Sequence, residues 1–167
     1  MVEQHLDNRR ILTEYILASQ ADFYRLAYSY VKDRDAALDV VQESIVKALT
    51  KADSLRNPEH VKTWFYRILV NESINWYRRG QRLVPLADRL DQEAAPELDH
   101  GARLDLYDAM ERLNEKERTV VRLRYFEDLK LEEIARVTGV NLSTVKTRLY
   151  KGLRHLKEWT KEDWNDA

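Results

Sequence analysis

The chain has 167 residues, which is enough for one ordinary domain or for two small ones. Its formal net charge is only −1, so it lacks the overall basicity of a protein that binds duplex DNA unaided. It contains no cysteine, no apolar run of membrane-spanning length and no signal-peptide core in MVEQHLDNRR. These features exclude disulfides and thiolate metal sites, and we expect a cytoplasmic protein without direct membrane insertion.

The first predicted module is helical from about Thr13 to Arg82. In its segment from Asp33 to Ala52, apolar residues recur at helical spacing and predict an inward stripe of Leu38, Val41, Ile45, Ala48 and Leu49. The opposite face carries Asp35, Asp39, Gln42, Glu43 and Val46. Spacing alone favours a solvated acidic face, since acids near a helix N-terminus complement the helix dipole without any partner.

A second helix is predicted from His60 to Arg79, with a core face of Phe65, Leu69, Ile74 and Tyr77. Its other face combines an aromatic ring, two amides and two guanidiniums: Trp64, Arg67, Asn71, Asn75 and Arg78. Such side chains can stack on bases, read base edges and hold phosphate along a single strand. Periodicity equally allows an inward Trp64 beside solvated polar residues.

Residues 80–102 interrupt the helical pattern with Gly80, Pro85, Pro96 and Gly101, and acids outnumber bases there. We predict a flexible acidic linker over residues 83–102, between helical modules at 1–82 and 103–167. No stretch shows useful β-alternation, so the expected fold class is all-α, with two small helical domains and a helix-turn-helix at the end of the second.

The second module begins with a predicted capping box, Asn114 with Glu117, for a helix that runs to about Tyr125. The segment from Leu131 to Lys157 then predicts a helix, a tight turn at Gly139 and a second helix capped by Asn141. In that second helix an inward stripe is formed by Val145, Leu149, Leu153 and Leu156.

The outer face of this last helix is cationic, with Lys146, Arg148, Lys151, Arg154 and Lys157 and no acid before Glu158. A helix of this kind, held across a short turn, suits the major groove of duplex DNA. The alternatives are a merely solvated basic face and a protein-interaction module. The alternating charge sign of a solvated helix is missing, which favours DNA contact.

No constellation of catalytic or metal-binding residues is recognisable, because His5, His60, His100 and His155 are dispersed and no nucleophile motif surrounds any serine. The sequence also has no glycine-rich phosphate loop. We therefore expect no cofactor, no metal and no enzymatic activity.

The order of these motifs resembles that of bacterial sigma factors of the extracytoplasmic-function group. The helix segment DAALDVVQE resembles the polymerase-binding helix of the family, usually written D-A-x-D-x-x-Q-E, with Asp39 as the aligned acid. The segment WFYRI with Asn71 and the Arg78–Arg79 pair resembles the −10-binding segment, and TVKTRL resembles the −35 reader. The segments FEDLKLEEIARVTG and NPEHVKTWFYRILV are also similar in sequence to sigma factors that respond to cell-envelope stress.

The resemblance implies a role for each group of residues. Core polymerase would be bound through its β′ clamp helices by Asp39, Gln42 and Glu43. The non-template strand of the −10 element would be bound by Ser54, Leu55, Arg56, Asn57, Trp64, Arg67, Asn71, Arg78 and Arg79. The −35 duplex would be bound by Ser143, Thr144, Lys146, Thr147, Arg148, Tyr150 and Lys151.

The resemblance further implies that the second module sits on the polymerase β flap, that the linker threads the polymerase, and that a membrane-anchored anti-sigma factor restrains the chain. The expected function is promoter-specific transcription initiation, in a stress regulon. One alternative is a stand-alone helix-turn-helix regulator, which needs neither the acidic face nor the aromatic stripe. Another is a helical adaptor without a DNA role, but that alternative does not explain why the outer face of the last helix carries only positive charges.

Overall fold

The computed structural model describes residues 2–83 and 106–160, and every regular element in these two ranges is a helix. The predicted all-α class is therefore confirmed. Apart from Leu83, the predicted linker at 83–102 lies outside the described residues. The chain divides into two compact units, one built on α1–α4 as defined below and one that contains most of the helical residues that follow, apart from 136–139.

The first unit contains four α-helices with two 3₁₀ turns between the third and the fourth. The helices are α1 Val2–Ala18, α2 Gln20–Val31, α3 Arg34–Thr50 and α4 Val61–Leu83, and the turns are Ala52–Ser54 and Pro58–His60. Side chains and backbone mark the boundaries. Lys32 takes the left-handed conformation at φ 57° and ends α2. The Asp33 carboxylate accepts a bond from the Ala36 amide at 2.8 Å and starts α3.

Aromatic rings from α2 and α4 form the centre of the first unit. The Phe23 and Phe65 rings lie 4.3 Å apart between centroids, and Tyr15 of α1 meets Phe23 edge-on at 5.6 Å. Phe23, Phe65 and Leu12 are fully buried, so removing any of these side chains would leave a large cavity. This core orients the outer faces of α3 and α4.

The helix α3 packs inward along a face that shares Val41 and Ala48 with the predicted stripe but is rotated away from Leu38. Its buried residues are Ala36, Ala37, Val40, Val41, Ser44 and Ala48. The prediction of an inward Leu38 was wrong, because that side chain is 42 % exposed. The bulky rings of α2 and α4 already fill the core, so α3 approaches them through small side chains and its leucine is left outside.

The helix α4 is longer than predicted, since it continues through Gly80 to Leu83. Glycine costs about 1 kcal/mol in a helix relative to alanine but ends it only where the backbone turns to positive φ. Among the described glycines only Gly139 has positive φ, at 74°. On α4 the predicted core residues Phe65 and Leu69 are buried, whereas Ile74 and Tyr77 are half-buried.

The second unit contains four further helices: α5 Leu106–Arg112, α6 Glu115–Tyr125, α7 Leu131–Thr138 and α8 Leu142–Thr160. The predicted cap at Asn114 is confirmed, because its side-chain oxygen accepts from the Glu117 amide at 2.8 Å. The second half of the capping box was wrong: the Glu117 carboxylate is buried and points to His155, with Oε2 and Nδ1 3.3 Å apart.

The close crossing of α6 and α8 depends on a glycine. A Cβ placed on Gly152 would lie 3.0 Å from Cγ2 of Val121 and 3.6 Å from Cβ of Glu117. Val145, Leu149 and Leu156 on the same side of α8 are buried, as predicted, and Leu153 is half-buried. A side chain at position 152 would therefore force Val121 to move.

Replacing Gly152 with leucine should destabilise the second unit by about 1–3 kcal/mol, the usual cost of forcing extra methylenes into a packed interior. The measurement is denaturant unfolding of the full chain followed by far-UV circular dichroism. Lys157→Leu is the matched control, because it introduces the same side chain at an exposed position of the same helix. Equal unfolding curves for the two variants would contradict the proposed crossing.

Candidate nucleic-acid and protein interfaces

The helix-turn-helix at α7–α8 is set by local contacts, of which the sequence predicted those at Gly139 and Asn141. Gly139 turns the chain at φ 74°, and the Asn141 side-chain oxygen accepts from the Thr144 amide at 2.8 Å. At the start of α7, the Glu133 carboxylate accepts from the Lys130 amide at 3.0 Å. Both helices therefore begin at positions fixed by side-chain caps.

The outer face of α8 presents a row of positive charge. Lys146, Lys151, Arg154 and Lys157 are exposed, while Arg148 is half-buried. Among the other predicted contacts, Ser143 and Thr147 are exposed, Thr144 is half-buried and Tyr150 is 60 % exposed. All seven predicted −35 residues therefore lie wholly or partly at the surface of one helix.

A depression of about 350 Å³ lies where the first turns of α6 and α8 meet. It is lined by Asn114, Lys116, Glu117, Ser143, Thr144, Thr147, Arg148 and Lys151. Two helix N-termini and three cationic side chains at one place suit a backbone phosphate. Lys116 was missed in the sequence, although its place in the first turn of α6, two residues after the Asn114 cap, was a signal.

Buried and stacked groups hold the far half of α8. His155 pairs with Glu117 and stacks on Trp159 at 5.1 Å, and the Arg112 guanidinium lies 4.9 Å from the centre of the Trp159 ring. This cluster ties α8 to α5 and α6. Sequence reasoning missed it because Glu117 was assigned to the capping box and the histidines were assessed only as metal ligands.

The polar face of α4 is exposed as the periodicity predicted. Arg67, Asn71, Asn75 and Arg78 are exposed and Trp64 is half-buried. Arg79, beside the last of them, is also exposed. The side chains lie along one face at intervals of three or four residues, so an extended strand could follow the helix over several turns.

The segment at residues 54–57, from the end of the first 3₁₀ turn to the start of the second, presents three of its four predicted contact residues. Ser54, Arg56 and Asn57 are exposed. The prediction that Leu55 contacts DNA was wrong for its side chain, which is only 2 % exposed. It anchors the loop in the core, where it cannot touch a ligand. Alternation of buried and exposed side chains over this short loop could not be derived from helical periodicity.

The exposed face of α3 is both acidic and apolar. Asp39, Gln42 and Glu43 are exposed as predicted. They stand beside Leu38, which is 42 % exposed, and Val46, which is 60 % exposed. Acids that flank apolar side chains in this way are more typical of a protein-docking face than of a purely solvated one.

A buried carboxylate links α3 to α4 beneath the basic end of α4. Glu72 is 7 % exposed and its Oε1 pairs with the Lys47 ammonium. With Asn75, Arg78 and Arg79 these residues line a depression of about 280 Å³. Sequence reasoning missed this pair, because a lone Lys and a lone Glu on different helices give no signal in spacing.

Neither a metal centre nor a membrane-spanning helix is found in the parts of the chain that the structure describes. Within residues 2–83 and 106–160, no three His, Asp or Glu side chains are grouped so as to hold a metal ion. In the same ranges no helix combines the length and apolarity needed to cross a bilayer.

Family models match both units. The model for sigma-70 region 2 matches residues 16–83, and the model for sigma-70 region 4 matches residues 103–156. The matched segments contain α2–α4 and α5–α7 in full, and most of α8. They therefore include all of the predicted site residues.

Curated relatives are similar to this chain in sequence over most of their length. RNA polymerase sigma factor SigV of Bacillus subtilis (strain 168) is 46 % identical over 157 residues, which cover 93 % of this chain and 95 % of the relative. RNA polymerase sigma factor YlaC of the same organism is 32 % identical, covering 74 % of this chain and 77 % of the relative. ECF RNA polymerase sigma factor SigX, also of that organism, is 25 % identical over 82 % and 77 %.

Solved structures share the fold. CnrH in complex with the cytosolic domain of CnrY matches with a TM-score of 0.70 and 20 % identity, covering 97 % of this chain and 95 % of that one. RpoE in complex with the anti-sigma factor NepR from Bartonella quintana matches with a TM-score of 0.67 and 24 % identity, covering 90 % and 97 %.

If the basic face of α8 binds duplex DNA, removing one phosphate contact should reduce the slope of log affinity against log salt by about one unit. We expect this for Lys146→Ala and for Lys151→Ala, measured by fluorescence anisotropy on a duplex across a salt series. Lys130→Ala is the control, since this exposed lysine precedes α7 and is not on α8. Slopes that fall equally in all three variants would contradict a specific role for α8.

Proposed function

The chain belongs to the extracytoplasmic-function group of the sigma-70 family, and on that premise we propose a role for each of its exposed surfaces in promoter-specific transcription initiation. As a sigma factor it binds core RNA polymerase and directs it to promoters. The observation that carries the proposal is that one chain has both an acidic face, on α3, and a face with positive charges only, on α8. The family is one of binding proteins rather than enzymes.

The proposed polymerase dock is Asp39, Gln42 and Glu43, with Leu38 and Val46 as its apolar part. An acidic and amide face complements a basic partner, which here would be the β′ clamp helices. The exposed leucine and valine would supply buried apolar area, which complementary charge alone does not give. Removing the charges should therefore affect association without disturbing the fold.

The proposed −10 site joins the polar face of α4 to the loop that precedes it. Trp64 and the guanidiniums of Arg67, Arg78 and Arg79 would stack on bases and hold phosphate, and Asn71 would read base edges. The loop residues Ser54, Arg56 and Asn57 would surround a base flipped from the stack, at an unstacking cost of a few kcal/mol. Their exposure supports this role.

The proposed −35 site is α8 and the depression at its N-terminus. Lys146, Tyr150 and Lys151 would face the duplex from the outer side of the helix, with Ser143, Thr144, Thr147 and Arg148 near its first turns. Lys116 of α6 would add a phosphate contact at the edge of the groove. Only contacts with base edges carry sequence information, so phosphate contacts and base contacts have different experimental signatures.

Further contacts with polymerase and a regulator complete the proposal. In the second unit, Tyr125 and Phe126 are 58 % and 39 % exposed at the turn after α6, which suits an apolar seat on the β flap. Residues 1–82 would act as region 2, 83–102 as a linker through polymerase and 103–167 as region 4.

The two solved structures of similar fold are complexes, one with an anti-sigma factor and one with a cytosolic domain. We therefore infer that this chain acts in the cytoplasm and is restrained by a membrane-anchored anti-sigma factor.

Reversing the charge of the α3 face should abolish holoenzyme formation. We expect Asp39→Lys with Glu43→Lys to lower affinity for core polymerase by about 100-fold or more, because like charges then face each other across the interface. Co-elution on size-exclusion chromatography and a titration with labelled chain give the readout. Asp7→Lys with Glu14→Lys makes the same charge change on the exposed face of α1 and should bind like wild type. Unchanged binding by the α3 variant would rule out this dock.

Removing the Asn71 amide should weaken discrimination among −10 bases more than it weakens polymerase binding. A base contact of this kind is worth about 1–3 kcal/mol, so the preference at one position should fall by roughly 10-fold. The measurement is initiation by holoenzyme on promoters that differ at single −10 positions. Gln20→Ala removes an exposed amide from α2 and serves as the control. Identical base preferences for Asn71→Ala and wild type would refute the assignment.

A further inference from the structure

The first turns of α1 are bonded to the loop at residues 51–57, about fifty positions later in the chain. Asn8 is 5 % exposed, and its side-chain Nδ2 donates to the Leu55 carbonyl at 2.9 Å. A buried amide on the face of a helix is costly unless it is bonded, so this contact explains why a polar residue stands there. It fixes the peptide that joins Leu55 to Arg56.

Two outer contacts flank the Asn8 bond. His5 Nδ1 lies 2.6 Å from Asp53 Oδ1, and Arg9 Nη2 donates to the Leu49 carbonyl at 3.5 Å. The His5 and Asp53 side chains are 48 % and 66 % exposed, so solvent screens their pairing and the buried Asn8 bond is the stronger constraint. The three contacts attach the first half of α1 to the end of α3, to the first 3₁₀ turn and to the loop.

The other contacts of the loop lie on either side of Arg56, and they include backbone bonds from Ser54 to Lys51 at 2.9 Å and from Leu55 to Ala52 at 3.2 Å. Ala52 and Leu55 are buried, and the Ser54 hydroxyl donates to the Lys51 carbonyl at 2.7 Å. Beyond Leu55, the Asn57 side chain accepts from the Glu59 amide at 3.0 Å, which fixes only the next 3₁₀ turn. Arg56 lies between these fixed points, and the carbonyl that precedes it is the one held by Asn8.

The later turns of α1 perform a different task. Leu12 is fully buried and Ile16 is 5 % exposed, and both pack into the core of the first unit. Docking of α1 therefore depends on its second half, whereas its first half reaches the loop. The region 2 model matches only from residue 16 onward, so that match gives no role to His5 or Asn8.

We propose that Asn8 is a positioning residue for −10 recognition, with His5 in a weaker supporting role, and that α1 holds the 51–57 loop in the shape that receives a base. The inference rests on the proposed −10 role of that loop. A loop already shaped by folding does not have to be ordered when the strand binds. Without the Asn8 donor the loop can take other shapes, and correct and incorrect bases are then bound more nearly alike.

The test compares variants of the full chain in holoenzyme with core polymerase. The template is a promoter selected by wild-type holoenzyme and its single-base −10 variants, all with the same −35 element. Asn8→Leu keeps the size of the side chain but cannot donate, and Asn8→Ala removes the amide altogether. Leu12→Val removes one methylene from a fully buried position one turn later in α1, and it controls for general loss of stability.

The expected result is a fall of about fivefold in the ratio of initiation on the selected −10 element to that on its variants, the factor that corresponds to one ordinary hydrogen bond. His5→Ala should lower the ratio less. Affinity for core polymerase and dependence on the −35 element should stay at wild-type values for both Asn8 variants. In Leu12→Val the ratio should stay at the wild-type value, even if this variant loses as much melting temperature as the Asn8 variants do.

Direct loop variants separate this inference from the proposal on which it rests. If Arg56→Ala with Asn57→Ala lowers the ratio while both Asn8 variants keep it, the positioning role is overturned and the loop keeps its −10 role. If the loop variant also keeps the ratio, the −10 role of the loop fails, and the inference fails with it. A ratio that falls as much in Leu12→Val as in Asn8→Leu overturns the positioning role as well.

Discussion

Close packing of helices through small side chains fixes which face each functional helix turns outward. In the first unit, α3 meets α2 and α4 through Ala36, Ala37, Ser44 and Ala48. In the second, α8 crosses α6 at Gly152, where a Cβ would lie 3.0 Å from Val121. Because interiors are close-packed, neither helix can rotate without a clash or a void. The acidic face of α3 and the basic face of α8 depend on these two contacts.

The same constraint explains where sequence patterns succeeded and where they did not. On α8 the large apolar residues Val145, Leu149 and Leu156 do face inward, so the periodicity of large side chains located the basic face correctly. On α3 the core side is made mostly of small residues, so Val41 and Ala48 were placed correctly but the larger Leu38 was wrongly assigned to it. Hydrophobic periodicity weights side-chain size, whereas the real orientation was set by which side could approach two aromatic-rich helices.

Several local signals were interpreted correctly, although the Glu117 half of the capping box and the interruption at Gly80 were not. The caps at Asn114 and Asn141 and the positive φ of Gly139 are local properties of the chain, and each was predictable. Contacts between distant positions were not. The Lys47–Glu72 pair, the Glu117–His155 pair and the bond from Asn8 to Leu55 join different elements, and no spacing rule reveals them. The burial of Leu55 was missed for the same reason.

Those distant polar contacts matter more for shape than for net stability. A buried ion pair or amide bond contributes little once its desolvation is counted, yet leaving one partner unmatched is strongly destabilising. Glu72, Glu117 and Asn8 are each less than 10 % exposed, and each joins a proposed binding surface to another element of its own unit. Close packing already restricts how these helices can rotate, and polar groups that must be matched restrict the same arrangement further. Recognition of a base or a groove requires that a single arrangement persists.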